Sequence, residues 1–248
     1  MIIDKEISLA IKAAKDSGRL LLENKKELNN KVSVSDKDLK LKADLSSESL
    51  IKELILSNSE YPILAEESGK SVEDLGDTFW VIDPLDGTAN YSRGIPMCCV
   101  SIGLVKNMKS LLGVVYDFNN KDMYVGNSLT KISTLNNDKI IVSDYKKKSD
   151  GVLVTGLPVN SDYSNTSLEK IIYDMQSWKK IRMIGSAAMA SCYIASGKAE
   201  MYKEKGVYIW DILAGAAIVE SAGGIADISN IRENFQVDVV FSNSYIKD

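Results

Sequence analysis

Trp80-Val81-Ile82-Asp83-Pro84-Leu85-Asp86-Gly87-Thr88 is the stretch around which this chain of 248 residues is organised. Phe79 to Ile82 is an unbroken apolar run that reads as a buried strand. Two carboxylates, Asp83 and Asp86, follow with only Pro84 and Leu85 between them. Proline fixes its own φ and pushes the preceding residue toward an extended conformation. The backbone is therefore stiff where the two acids are aimed. Gly87 leads into Thr88-Ala89-Asn90-Tyr91, which opens a helix. Carboxylate oxygens hold hard cations, and the N–H groups and dipole of a helix start attract an anion. A strand end built this way suits a metal-bound phosphate. The plainer reading is an Asp-rich turn with glycine, and the rest of the chain decides between the two.

Composition narrows the chemistry. The chain is 45% hydrophobic and 26% charged, which is ordinary for a globular protein. A net charge of −4 gives no electrostatic reason to expect nucleic acid or an anionic membrane surface. No run of about 18 apolar residues is present, so no membrane span is expected, and the opening Met1-Ile2-Ile3-Asp4-Lys5-Glu6 does not read as a signal peptide. Cys98, Cys99 and Cys192 lack metal-type spacing and read as reduced packing residues of a cytoplasmic protein. Histidine is absent altogether. That excludes Ser-His-Asp and Cys-His nucleophile chemistry and His-ligated zinc. Carboxylates, hydroxyls and oxygen-bound metal remain.

Taken in order, residues 2–27 carry apolar positions at helical spacing, with Gly18 marking close packing. Residues 29–42 read as a mobile polar loop, and Ser46 to Asn58 as a second helix with Asp44 just before it. Tyr61 to Ala65 is a short strand ending at Glu66, and residues 69–78 a polar loop. Cys98 to Val105, Leu111 to Phe118 and Lys121 to Gly126 read as a β-meander. Residues 127–137 read as polar linker and the boundary between an N-terminal lobe, 1–135, and a C-terminal lobe, 136–248. Beyond it, strands at 139–142, 152–155, 180–184, 225–228 and 237–241 alternate with helices at 166–178, 185–196 and 211–222.

Four acids, Glu66, Asp83, Asp86 and Asp211, each end an apolar strand or begin a helix, where side chains converge. Phosphate monoester hydrolysis needs such a set, because two magnesium ions about 3.5–4 Å apart must be held mainly by oxygen. Singly, each acid has a blander role. Asp44 and Asp211 suit helix caps, Glu67 a solvated neighbour of Glu66, and Glu204 a solvated charge in Lys203-Glu204-Lys205. Gly185-Ser186-Ala187-Ala188 suits packing.

Asp83 to Thr88 after its strand resembles the signature of the inositol monophosphatase family, magnesium-dependent and lithium-sensitive phosphomonoesterases. Ala65-Glu66-Glu67-Ser68, Trp210-Asp211-Ile212-Leu213-Ala214-Gly215 and Glu220-Ser221-Ala222-Gly223-Gly224 extend the resemblance in family order across nearly the whole chain. It implies a layered α-β-α-β-α sandwich. It implies that Asp83 bridges two metals, that Glu66 and the Leu85 carbonyl complete the first, and that Asp86 and Asp211 complete the second. Asp44 is similar to an acid that holds a looser third magnesium through water. Thr88 resembles the hydroxyl that orients, with Glu66, a metal-activated water for direct in-line attack. Gly87 and Thr88 offer N–H groups to the phosphate. Gly185, Ser186, Ala187, Glu204 and Asp211 match the substrate pocket, although Tyr208 stands where several members carry histidine. The implied substrate is inositol 1-phosphate or a similar polyol or sugar phosphate. Adenosine bisphosphate, fructose bisphosphate and histidinol phosphate remain open, as does a non-enzymatic phosphate-binding role. The resemblance also implies a homodimer, and a C-terminal helix of the family looks missing after Asp248.

Overall fold

The structure is a computed structural model and describes residues 2–34, 39–157 and 164–247. Helix α1 (Ile2–Glu23) buries Ala10, Ala13, Ala14 and Leu21 along one face. At Gly18 a Cβ would come within 2.7 Å of Tyr116 and Phe118, which is the close packing expected there. Next come α2 (Lys25–Leu28) and two strands, β1 (Lys31–Val34) and β2 (Leu39–Leu41), paired antiparallel where a mobile loop was expected. Helix α3 (Lys42–Leu56) starts earlier than the expected Ser46, so Asp44 lies inside its first turn.

Strands β3 (Ile63–Ala65), β4 (Gly69–Lys70) and β5 (Thr78–Asp86) follow. Helix α4 (Thr88–Arg93) opens from Gly87, whose φ of 88° is left-handed and suits glycine. The expected meander is β6 (Cys99–Lys106), β7 (Lys109–Asp117) and β8 (Asp122–Asn127). It does not stop there. Strand β9 (Ile132–Leu135) lies in the expected linker, and β10 (Asp138–Ile140), near the strand expected at 139–142, pairs with it, so both extend the same sheet. Asn136 and Asn137, both at positive φ, make a two-residue hairpin turn. Polar asparagines read as linker were a turn signal.

The remaining elements are β11 (Val152–Thr155), α5 (Asn165–Gln176), β12 (Lys180–Arg182), α6 (Ala187–Ala195), β13 (Met201–Tyr208), α7 (Ile209–Ser221), β14 (Ile225–Ser229) and β15 (Gln236–Ser242). Strand β13 was not anticipated, because Lys203, Glu204 and Lys205 interrupt its apolar pattern. It is nevertheless central, lying between β11 and β15.

The first sheet runs β10-β9-β8-β7-β6-β5-β3-β4, antiparallel but for the parallel β3–β5 pair, and the second runs β12-β11-β13-β15-β14. Helices α1 and α3 cover one face of the first sheet, α6 and α7 lie between the sheets, and α5 covers the outer face of the second. This is the layered α-β-α-β-α sandwich. Side chains alternate across a strand, so Trp80 and Ile82 enter the core beneath α1 and α3, while Phe79 and Val81 enter the core between the sheets. Strand β5 is apolar without interruption because both its faces are covered.

One row of small residues sets the spacing of the layers. Gly103, Gly113 and Gly126 are directly paired neighbours on β6, β7 and β8. A Cβ at Gly113 would overlap the Ala214 carbonyl, and one at Gly126 would lie 2.5 Å from the Ile218 Cα. The glycine row is a trough, and α7 lies in it backbone to backbone.

Candidate active site

The trough delivers the N-terminus of α7 to the end of β5. Glu66 follows β3, Asp83 and Asp86 end β5, Asp44 stands in the first turn of α3 and Asp211 in the first turn of α7. Asp44 and Asp211 adopt the same posture. Asp44 Oδ2 accepts from Leu41 N at 2.6 Å, and Asp211 Oδ2 accepts from Tyr208 N at 2.8 Å. Each acid caps its helix with one oxygen and keeps the other for the site. The cap reading therefore holds for both acids.

Asp83 Oδ1 accepts from Leu85 N at 2.9 Å, which holds the turn. Asp86 Oδ2 accepts from Ser186 Oγ at 2.6 Å and from Ala188 N at 2.7 Å, so the start of α6 grips this carboxyl across a sequence gap of a hundred residues. Thr88 Oγ1 lies 2.8 Å from Asp44 Oδ1 and 3.0 Å from the Leu85 carbonyl. Glu67 is not solvated. It is ion-paired to Lys40, and its backbone N–H donates to Glu48 Oε2 at 2.8 Å.

Burial raises every acid of this cluster. Burial, then the charge of Asp211, pushes Glu66 well above the usual carboxylate range. Burial, then the charges of Glu66 and Asp86, does the same to Asp83, and burial, then Asp86, to Asp211. Burial raises Asp86 as well, against the hydrogen bond from Ser186, and holds Asp44 up to about 6. The carboxyls thus face one another across a buried space and repel. Among the described residues no group of three or more His, Cys, Asp or Glu side chains stands where it could hold a metal ion without moving. The donor set, hard carboxylate oxygens beside the Leu85 carbonyl with no cation to offset them, fits magnesium.

A cavity of about 420 Å³ opens beside the cluster. Asp86, Asp211, Gly185, Ser186, Ala187 and Glu204 line it, whereas Glu66, Asp83, Leu85, Gly87, Thr88 and Asp44 belong to the cluster behind. The Ser186 hydroxyl is committed to Asp86 and to Met189 N, so within the cavity wall it positions that acid. Glu204 is no surface charge. Burial pushes its carboxyl up to about 7, and Tyr202 Oη donates to Oε2 at 3.0 Å. Sequence reading missed Tyr202, whose only signal is its place two residues before Glu204 on one strand face. It also missed Asn90, whose Nδ2 donates to the Ile184 carbonyl at 2.8 Å and so ties α4 to the cavity rim.

Residues 3–239 match the model of the inositol monophosphatase family. The chain belongs to this family. It is 36% identical over 222 residues, 88% of this chain and 80% of the relative, to the Nus factor SuhB of Xylella fastidiosa. It is 33% identical to inositol monophosphatase 1 of Sus scrofa over 87% of this chain and 80% of the relative. In three dimensions it is similar to the inositol monophosphatase of Anabaena (Nostoc) sp. PCC 7120, with a TM-score of 0.84 and 29% identity, covering 99% of this chain and 93% of that one. Family membership supports a phosphatase acting on a small phosphate ester and agrees with the layered fold. No helix among the described residues is long and apolar enough to cross a membrane.

Proposed function

We propose that this chain is a magnesium-dependent phosphomonoesterase whose substrate is inositol 1-phosphate or a similar polyol or sugar phosphate. The observation that carries the reading is the convergence of Glu66, Asp83, Asp86 and Asp211 within reach of one another's charge, with Asp83 and Asp86 buried and Glu66 and Asp211 half-buried. Bound magnesium would supply charge neutralisation at the phosphate and a nucleophilic water near neutral pH. Glu66, Asp83, the Leu85 carbonyl, Asp86 and Asp211 are the residues that would hold it, with Asp44 at a looser third position. The chain's own part is to aim these donors and to orient water with Thr88 and Glu66. Backbone N–H groups of Gly87 and Thr88 would meet the phosphate at the start of α4. Glu204, set in the cavity wall beside Asp211, would accept hydrogen bonds from substrate hydroxyls.

Phosphate release from a panel of monoesters with magnesium tests the reading. The panel includes inositol 1-phosphate, fructose 1,6-bisphosphate, histidinol phosphate and adenosine 3',5'-bisphosphate. Release from inositol 1-phosphate above the others is expected, with loss of rate at tens of millimolar lithium. No release from any ester would refute it. The SuhB relatives are named Nus factors, so a role beside hydrolysis is a second reading. It leaves the net charge of −4 as an argument against nucleic acid as a direct partner, and a mobility shift with RNA would count against that argument. Cytoplasmic residence belongs to the same proposal, as does a division into two lobes, with the boundary placed after β10 rather than at 135/136 because β9 and β10 form one hairpin of the first sheet.

A further inference from the structure

Beyond Glu204 lies a second cavity, of about 520 Å³, between α5 and strands β11 and β13. Thr155, Gly156 and Glu204 line both cavities, so the two share a thin wall. At Gly156 a Cβ would overlap the Glu204 carboxyl where it stands, so the two residues are in direct contact across the wall. Across the wall the charge reverses. Lys170, Lys203, Lys205 and Arg232 line the second cavity against Asp174 and Glu204. This surplus of cations stands out in a chain of net charge −4.

Two of the cations are held from the side. Lys203 Nζ lies 3.3 Å from Asp174 Oδ2, while Asp174 Oδ1 lies 3.3 Å from Lys148 Nζ. Arg232 Nη2 lies 2.9 Å from Asp238 Oδ1, and Asp238 is itself fixed by Gly206 N at 3.0 Å and Asn230 Nδ2 at 2.8 Å. Lys170 and Lys205 are exposed at the mouth and have no acid partner among the described residues. Beneath them Ile171 and Met175 form an apolar floor. Inorganic phosphate would leave that floor wet, whereas a ligand with a hydrocarbon or ring body covers it. Ligand sites combine such apolar walls with a few placed polar groups.

We propose that this cavity is a second ligand site, separate from the acid cluster, for a small organic phosphate or phosphonate. Its anionic group meets Lys170, Lys205 and Arg232, and its apolar body lies on Ile171 and Met175. Occupancy is felt in the first cavity through the Gly156–Glu204 wall. The test is calorimetric titration of the magnesium-loaded protein with phenylphosphonate, a dianion on a ring with no ester bond to cleave. Two binding events are expected. Lys170→Gln with Lys205→Gln weakens one event by about tenfold or more, keeps the other, and leaves kcat/KM on a small ester unchanged. Asp86→Asn does the reverse. Both lysines are exposed, so the variant retains its melting temperature. A single event that is lost in Asp86→Asn and untouched by the lysine changes overturns the proposal, and so does an equal weakening of both events. A single event lost with the lysines and kept in Asp86→Asn supports this site and counts against the phosphatase reading instead.

Discussion

Glu204 shows how much one side chain's surroundings decide. Its carboxyl is held up to about 7, against an ordinary value of 4.5, chiefly by burial. A raised carboxyl favours the folded state while it is protonated. That contribution is fully present below about pH 4.5 and is lost as pH rises through about 7. Its size is on the order of 3 kcal/mol, at 1.36 kcal/mol for each tenfold change in proton affinity. Glu204→Gln is therefore expected to flatten the fall in stability between those pH values, as read by urea denaturation without divalent metal. The same variant separates substrates. If substrate hydroxyls bond to this carboxylate, the change should weaken kcat/KM for inositol 1-phosphate by roughly tenfold or more, since charge-assisted hydrogen bonds contribute about 1.5–3 kcal/mol. A simple aryl phosphate should be unaffected. Equal losses on both would make Glu204 a support for the acid cluster. Asp86 is proposed as a metal ligand. Asp86→Asn keeps the hydrogen-bonding shape toward Ser186 but removes a charge, and should cut turnover on the order of a hundredfold with the melting temperature kept. Near-normal turnover at saturating magnesium would remove Asp86 from the ligand set.

Among the elements, α7 carries the most consequence. It lies in the trough of Gly103, Gly113 and Gly126, and this seat aims Asp211 at Asp83 and Asp86. Gly113→Ala forces a methyl group into the Ala214 carbonyl. Overpacking of this kind costs about 1–3 kcal/mol or more, and each kcal/mol lowers Tm by about 2–4 °C in a chain of this size. The expected outcome is a lower Tm together with a lower kcat, because the displaced helix carries Asp211. An unchanged Tm would show that α7 seats without the trough. Helix α5 is the opposite case. None of its residues is fully buried, and Ile172 and Tyr173 are 55% and 80% exposed.

For the whole molecule, that exposed face bears on assembly. Large apolar side chains left in water mark surfaces that associate, and Met183, also exposed, follows the neighbouring strand β12. A homodimer is expected in solution, and Ile172→Ser with Tyr173→Ser should shift it toward monomer by light scattering. A wild-type monomer at micromolar concentration would count against it. Metal dependence is also expected of the whole, since the proposed donors come from α3, the turn after β3, β5 and α7. Exhaustive chelation should abolish turnover and magnesium should restore it, and turnover that survives chelation would sink the metal reading.

Sequence alone determined the framework and the acids. Phe79 to Ile82 specified a doubly buried strand because an uninterrupted apolar run is stable only when both faces are covered. Asp83-Pro84-Leu85-Asp86 specified a stiff pair of carboxylates because proline restricts the backbone on both sides of itself. The lack of histidine left oxygen chemistry as the remaining choice. These are local properties, set by residues within a few positions of one another. Tertiary structure alone decided the rest. The Asn136-Asn137 turn looked like linker until a partner strand paired across it. Lys203-Glu204-Lys205 looked like solvated charge until β11 and β15 flanked β13 and buried one carboxyl in a wall between two cavities. Asp86 is gripped by Ser186 and Ala188, a hundred residues away, through contacts that no spacing announces. Burial, electrostatic field and cross-strand pairing arise from residues distant in the chain, so they exist only once the layers are packed.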